Sequence, residues 1–178
     1  MRRMRQQRLR WAGRLAQWAT LMAIAVGPGA QAAGAAPTDV RAPAFDVVTL
    51  TGERYTQATM EGHPTLLVFW APWCKVCQRE LPVLGAYAGR EKPGQLHILS
   101  IGFADTRERV ESFVKARETA FVFPTVYDED NQMARAYRIK ATPTFVLVDA
   151  QGRIVLIHRG ASLLDNVQFR EFVSTLHG

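Results

Sequence analysis

Apolar and polar positions along this chain recur at two periods, and they separate strands from helices. Thr65-Leu66-Leu67-Val68-Phe69-Trp70 is a short apolar run, β-branched and aromatic, preceded by His63-Pro64. Such a run predicts a buried strand. Leu96-His97-Ile98-Leu99-Ser100-Ile101 predicts a second. Between them, about Trp73 to Ala88 predicts a helix, and Pro72 suits its start because its missing N–H would be unpaired there anyway. Pro82 lies inside that helix and predicts a kink, since it cannot bond the Gln78 carbonyl. Thr106 to Arg117 reads as a helix with Val110, Phe113 and Val114 inward. Thr125-Val126-Tyr127 is a short extended piece, and Gln132 to Tyr137 a short helix. Thr144–Asp149 and Arg153–Ile157 flank Ala150-Gln151-Gly152, which predicts a hairpin. A last amphipathic helix, Leu164 to Leu176, buries Val167, Phe169, Phe172, Val173 and Leu176. Upstream, Phe45 to Leu50 alternates, Thr51-Gly52 turns and Arg54-Tyr55 returns, a small N-terminal hairpin. Strands alternating with helices and closing on a hairpin imply an α/β fold, a mixed sheet with helices on both faces.

Charge changes the picture at one end only. The formal net charge of +6 is matched by six arginines within residues 1–32, a segment without an acid. The remainder is formally neutral, so net charge gives no support to nucleic-acid binding. Residues 1–32 combine that basic start with an apolar stretch from about Leu15 to Val26, then Gly27-Pro28-Gly29 and Ala30-Gln31-Ala32. This is the pattern of a cleaved signal peptide. The apolar stretch falls short of the roughly twenty residues that span a bilayer, so a retained N-terminal membrane anchor is the second reading. Both export the chain, and the expected location is the periplasm, free or anchored to the inner membrane. Residues 33–43, rich in Ala, Gly and Pro, read as a linker, and 44–178 as the folded domain.

The chemistry sits at the first strand-to-helix junction, Trp70-Ala71-Pro72-Trp73-Cys74-Lys75-Val76-Cys77. Cys74 and Cys77 are the two cysteines of the chain, so any intramolecular disulfide joins them. Three apart on a helix, their sulfurs can meet. A place in the first turn, with unpaired N–H groups and the positive end of the helix dipole, favours a thiolate at Cys74 and makes it the expected attacking sulfur. The pair reads as a redox dithiol. A zinc site needs two further ligands, and His63, His97, His158 and His177 form no H-x(3–5)-H pair, so no metal is expected. A purely structural disulfide closing so short a loop removes little chain entropy. The histidines carry no expected role, and Phe113, Phe121 and Phe123 read as core. No cofactor is expected.

With Cys74-x-x-Cys77-x-x-Glu80-x-Pro82 in view, the chain resembles the TlpA/ResA-like branch of exported thioredoxin-fold disulfide reductases. Ala141-Thr142-Pro143-Thr144-Phe145 is similar to that family's cis-proline loop, and the stretch between Ser100 and Val126 accommodates the branch's extra helix. The resemblance implies a thioredoxin-like fold with an N-terminal β-hairpin and a helical insert. It implies that Cys74 attacks a client disulfide, that Cys77 resolves the mixed disulfide, and that Glu80 takes the Cys77 proton. Cytosolic thioredoxins use a buried Asp at the position of Val68, so proton handling cannot come from there. Thr142, before a cis Pro143, would pair with an incoming chain, and Trp73 would shape the docking surface beside the sulfurs. The implied partners are client protein disulfides and a membrane thiol electron carrier of the DsbD type. Arg138-Ile139-Lys140-Ala141-Thr142-Pro143 lacks the Gly-Val-x-Gly-x-Pro-Glu pattern of cytochrome c maturation members, which disfavours that subgroup. Two alternatives stay open: a disulfide-forming oxidant, and a protein that holds Cu(I) between the two thiolates in copper-site assembly.

Overall fold

In the computed structural model, the described residues are 40–92 and 94–177; the leader, and the linker as far as residue 39, lie outside them. The N-terminal hairpin pairs β1 (Asp46–Val48) with β2 (Arg54–Thr56), antiparallel. A single turn of helix, α1 (Gln57–Met60), follows. The central sheet has five strands: β3 (Thr65–Trp70), β4 (His97–Gly102), β5 (Thr125–Tyr127), β6 (Thr144–Val148) and β7 (Ile154–Arg159). Their order is β5-β4-β3-β6-β7, with β3, β4 and β5 parallel and β6 and β7 antiparallel to their neighbours. The connections carry α2 (Lys75–Ala88), α3 (Arg107–Lys115) and α4 (Gln132–Ala136), and α5 (Val167–Leu176) closes the chain. This is the mixed sheet and separate hairpin read from the sequence, with α3 as the expected insert.

β3 is central and buried throughout, and its period of two divides the core. Leu66, Val68 and Trp70 join one cluster with Leu81, Leu84, Phe113, Phe145 and Phe169. Leu67 and Phe69 join another with Leu99, Ile101, Met133, Tyr137 and Val146. The indole of Trp70 donates to Ser100 Oγ at 2.7 Å, and both residues are fully buried. The expected hairpin of β6 and β7 is tightened by Asp149, whose carboxylate accepts from the Gln151 and Arg153 backbone N–H groups and from Arg153 Nε. Its register slips once, between Leu147 and Val148.

Several boundaries differ from the sequence expectation; the last helix begins at Val167 and not at Leu164, which leaves Val167, expected to be buried, exposed. The second helix begins at Lys75, not near Trp73: Pro72 and Trp73 form a turn, and Cys74 caps the helix. The ordered pairing also starts upstream of residue 44, since Ala42 N–H donates to Gly152 and Ile154 N–H to Val40.

Candidate active site

Strand β3 ends at Trp70, whose carbonyl accepts the Phe103 N–H, and the chain then turns through Ala71-Pro72-Trp73. Cys74 N–H donates to Ala71 O at 3.1 Å, and Gln78 Nε2 reaches back to Pro72 O at 2.8 Å, so the turn is tied to the helix it precedes. Cys74 has extended backbone angles (φ −77°, ψ 107°), which places it as the N-cap of α2. Its Sγ accepts the Cys77 N–H at 3.0 Å, satisfying one of the N–H groups that a helix start leaves unpaired. The two cysteines form a disulfide with their Cα atoms 5.2 Å apart. Cys74 retains 5% of its surface and Cys77 none. Val68 beneath them is fully buried, so the strand supplies no acid at that position.

The pairing of β3 with β6 brings in the second half of the site. Its last pair joins Phe69 to Thr144, so the loop that leads into β6 arrives at the sheet end where the cysteines sit. The Thr142–Pro143 peptide bond in that loop is cis. Pro143 is buried, Thr142 half-buried, and Pro143 O accepts the Gly160 N–H at 2.9 Å. Thr144 Oγ1 donates to Ala141 O at 2.7 Å and holds the loop from its other side.

Glu80 is half-buried on α2, and its Oε2 accepts the Ser162 N–H at 2.8 Å. Ser162 has a left-handed backbone (φ 64°), which turns that N–H toward the helix. Among the described residues Glu80 makes no ion pair. Trp73 is 57% exposed, and its indole N–H donates to Ala104 O at 3.0 Å. The Ala104 N–H in turn donates to Asn131 Oδ1 at 2.7 Å, with Ala104 and Asn131 both left-handed. Sequence reasoning missed Ala104, Asn131 and Ser162. The available signal for Asn131 was its tolerance of a left-handed backbone; Ala104 and Ser162 offered none. Lys75 is exposed. Among the described residues no three His, Cys, Asp or Glu side chains cluster as metal ligands, and no helix is long and apolar enough to cross a membrane. A strand-end CxxC capping its own helix, beside the cis-proline loop, can carry out thiol–disulfide exchange.

Known proteins resemble this chain in sequence and in fold. The AhpC/TSA family model matches residues 38–157. The thiol-disulfide oxidoreductase ResA of Geobacillus thermodenitrificans is 30% identical over 128 residues, 71% of this chain and 72% of that one. ResA of Bacillus subtilis is 28% identical over 119 residues, 67% of this chain and 65% of that one. Among solved structures, MTB dsbF superposes with a TM-score of 0.65 at 28% identity, covering 74% of this chain and 94% of that one. StoA of Bacillus subtilis gives 0.61 at 25% identity, covering 71% and 95%. The match to two thirds of the chain, the CxxC at the strand end and these relatives together show that the chain belongs to the AhpC/TSA family, as a thioredoxin-fold thiol–disulfide oxidoreductase of the TlpA/ResA-like kind.

Proposed function

We propose that this oxidoreductase works as an exported disulfide reductase, taking electrons from a membrane thiol carrier of the DsbD type and delivering them to client cysteine pairs. The observation that carries the direction is the burial of both sulfurs, 5% exposed at Cys74 and 0% at Cys77. Strong oxidants of this chemistry owe their potential to a stabilised reduced form. Burial disfavours a charged thiolate. A helix N-terminus favours it by about 0.3–2 kcal/mol. With both cysteines buried, the reduced pair lacks the broad thiolate stabilisation that makes a strong oxidant, which supports the reductase direction. The capping N–H still favours Cys74 over Cys77 as the attacking sulfur.

In the proposed cycle the Cys74 thiolate attacks one sulfur of a client disulfide. That bond breaks, the other client sulfur leaves as a thiolate, and a mixed disulfide remains on Cys74. Cys77 then loses its proton to Glu80, whose carboxylate the Ser162 N–H orients, and attacks Cys74 Sγ. The second client thiol is released, two electrons have passed to the client, and Cys74–Cys77 is oxidised. The backbone of Thr142, before Pro143, receives the client as an added strand, and Trp73 flanks it. Residues 1–32 export the domain to the periplasm, where an oxidising environment makes the electron supply necessary.

Mixed-disulfide trapping tests the roles. Reduced Cys77→Ser is expected to hold a peptide disulfide as a stable adduct on Cys74, and Cys74→Ser to form none. Glu80→Gln is expected to form the adduct at the wild-type rate and resolve it about 100-fold more slowly, the scale of general acid–base help. Adduct formation by Cys74→Ser, or wild-type resolution by Glu80→Gln, contradicts the assignment.

A further inference from the structure

The proposed docking face continues into a groove of about 400 Å³ whose lining includes Phe103, Ala104, Arg135, Arg138, Ile139 and Lys140. Two of its lining residues connect it to the site. Ala104 supplies the carbonyl that anchors Trp73, and Lys140 precedes the cis Thr142–Pro143 bond by two residues. Three cations therefore line a concave surface beside the path of any chain paired along Thr142.

Three cations against one adjacent exposed acid, Asp130, leave the patch net positive. Among the described residues, Arg135, Arg138 and Lys140 make no ion pair, and all three are exposed. Arg135 donates to the backbone carbonyl of Asp130, a neutral acceptor. Of the acids near in sequence, Asp105 is turned to the Thr106 N–H and to Arg109, Asp128 accepts the Met133 and Ala134 N–H groups, Glu129 lines a different groove with Tyr127, and Asp130 is exposed beside Arg135 without an ion pair to it. Arg138 adds a second clue. It has a left-handed backbone (φ 53°) just past the end of α4, a position that glycine or asparagine usually takes. The chain carries a cation there at a backbone cost.

We infer that this groove is a specificity subsite for acidic client polypeptide, binding Asp or Glu side chains that flank the client disulfide. The inference rests on the exchange chemistry proposed above. Each exposed pairing is weak and screened by salt, so the groove selects among clients without anchoring them. Two or three such pairings together give a preference of about tenfold.

The test compares two synthetic peptide disulfides of one sequence frame, with either Glu or Gln on both sides of the cysteines. The readout is the ratio of their kcat/KM values within each protein, so a general loss of activity cancels. Neutral 2-hydroxyethyl disulfide reports exchange itself. Wild type is expected to favour the Glu peptide about tenfold at low salt, and the ratio to fall toward one at about 0.5 M salt. Arg138→Asn with Lys140→Gln is expected to bring the ratio near one at low salt. Arg138→Glu with Lys140→Glu is expected to invert it for a Lys-flanked peptide. A wild-type ratio near one overturns the inference, as does a preference that survives the charge reversal. So does salt-sensitive binding to anionic vesicles without a peptide preference, which would make the patch a membrane contact. No exchange with either peptide or with 2-hydroxyethyl disulfide overturns the underlying chemistry instead.

Discussion

Gly85→Ala is a sharp test of how the cysteine-bearing helix is seated. Gly85 lies in the interior of α2, where alanine is ordinarily better than glycine by about 1 kcal/mol. Here the sign reverses. A Cβ at Gly85 would stand 2.5 Å from the carbonyl oxygen of Ala120 and 3.0 Å from its carbonyl carbon. These are backbone atoms of the 3-10 turn Glu118–Ala120, so no side chain can swing aside and either the turn or the helix must move. Overpacking of this kind costs about 1–3 kcal/mol, and a backbone neighbour puts it toward the upper end. Set against the propensity gain, the net is a loss of about 1–2 kcal/mol, or about 3–10 °C in Tm for a domain of this size. Gly89→Ala is the matched control. Its φ of −68° suits alanine, and its Cβ would meet only Gly85 O at an ordinary 3.5 Å. It should be neutral or stabilise by up to about 1 kcal/mol. Urea unfolding of both oxidised variants decides the matter. Gly85→Ala as stable as wild type would refute the close-approach reasoning.

Ser100→Ala strands the fully buried Trp70 indole N–H and should cost about 1–3 kcal/mol. The same substitution in a Trp70→Phe background should cost less, and equal losses in the two backgrounds would deny the bond its importance. His97 stacks on His63 with ring centres 4.6 Å apart, and burial, then the neighbouring ring, hold its pKa below the ordinary value. The unfolded chain therefore takes up that proton first. The His97 contribution is complete above about pH 6.5 and lost as the pH falls below it. His97→Phe should flatten the fall in urea midpoint between about pH 7 and pH 5; an unchanged slope contradicts this.

The fold was legible wherever one period dominated. The run Thr65–Trp70 announced a buried strand because every position is apolar or small, and the central place of β3 requires that. The Cys74–Cys77 pair and the Thr142–Pro143 loop were legible as local motifs. What held them was not. The helix start at Lys75 went unread because the cap is a sulfur, Cys74 Sγ, and not one of the usual oxygen-bearing residues. The Glu80–Ser162 bond joins residues 82 apart, through a backbone N–H that any residue type could supply. The anchor of Trp73 depends on Ala104 in a left-handed conformation, which alanine gives no sign of adopting. The cationic groove escaped notice for a related reason: Arg135, Arg138 and Lys140 meet Ala104 only after β4 and β6 take their places on either side of β3. Sequence patterns report periodic burial well, and long-range backbone contacts poorly.

The reduction potential of the Cys74–Cys77 couple tests the proposed direction most directly. It can be measured on the purified domain by equilibration with glutathione and with dithiothreitol. Burial of both sulfurs leads us to expect a value near the reducing end of the family of such couples, about −270 mV as in thioredoxin. A value near about −120 mV, that of a strong oxidant, would contradict the reductase and make disulfide formation the function of this site.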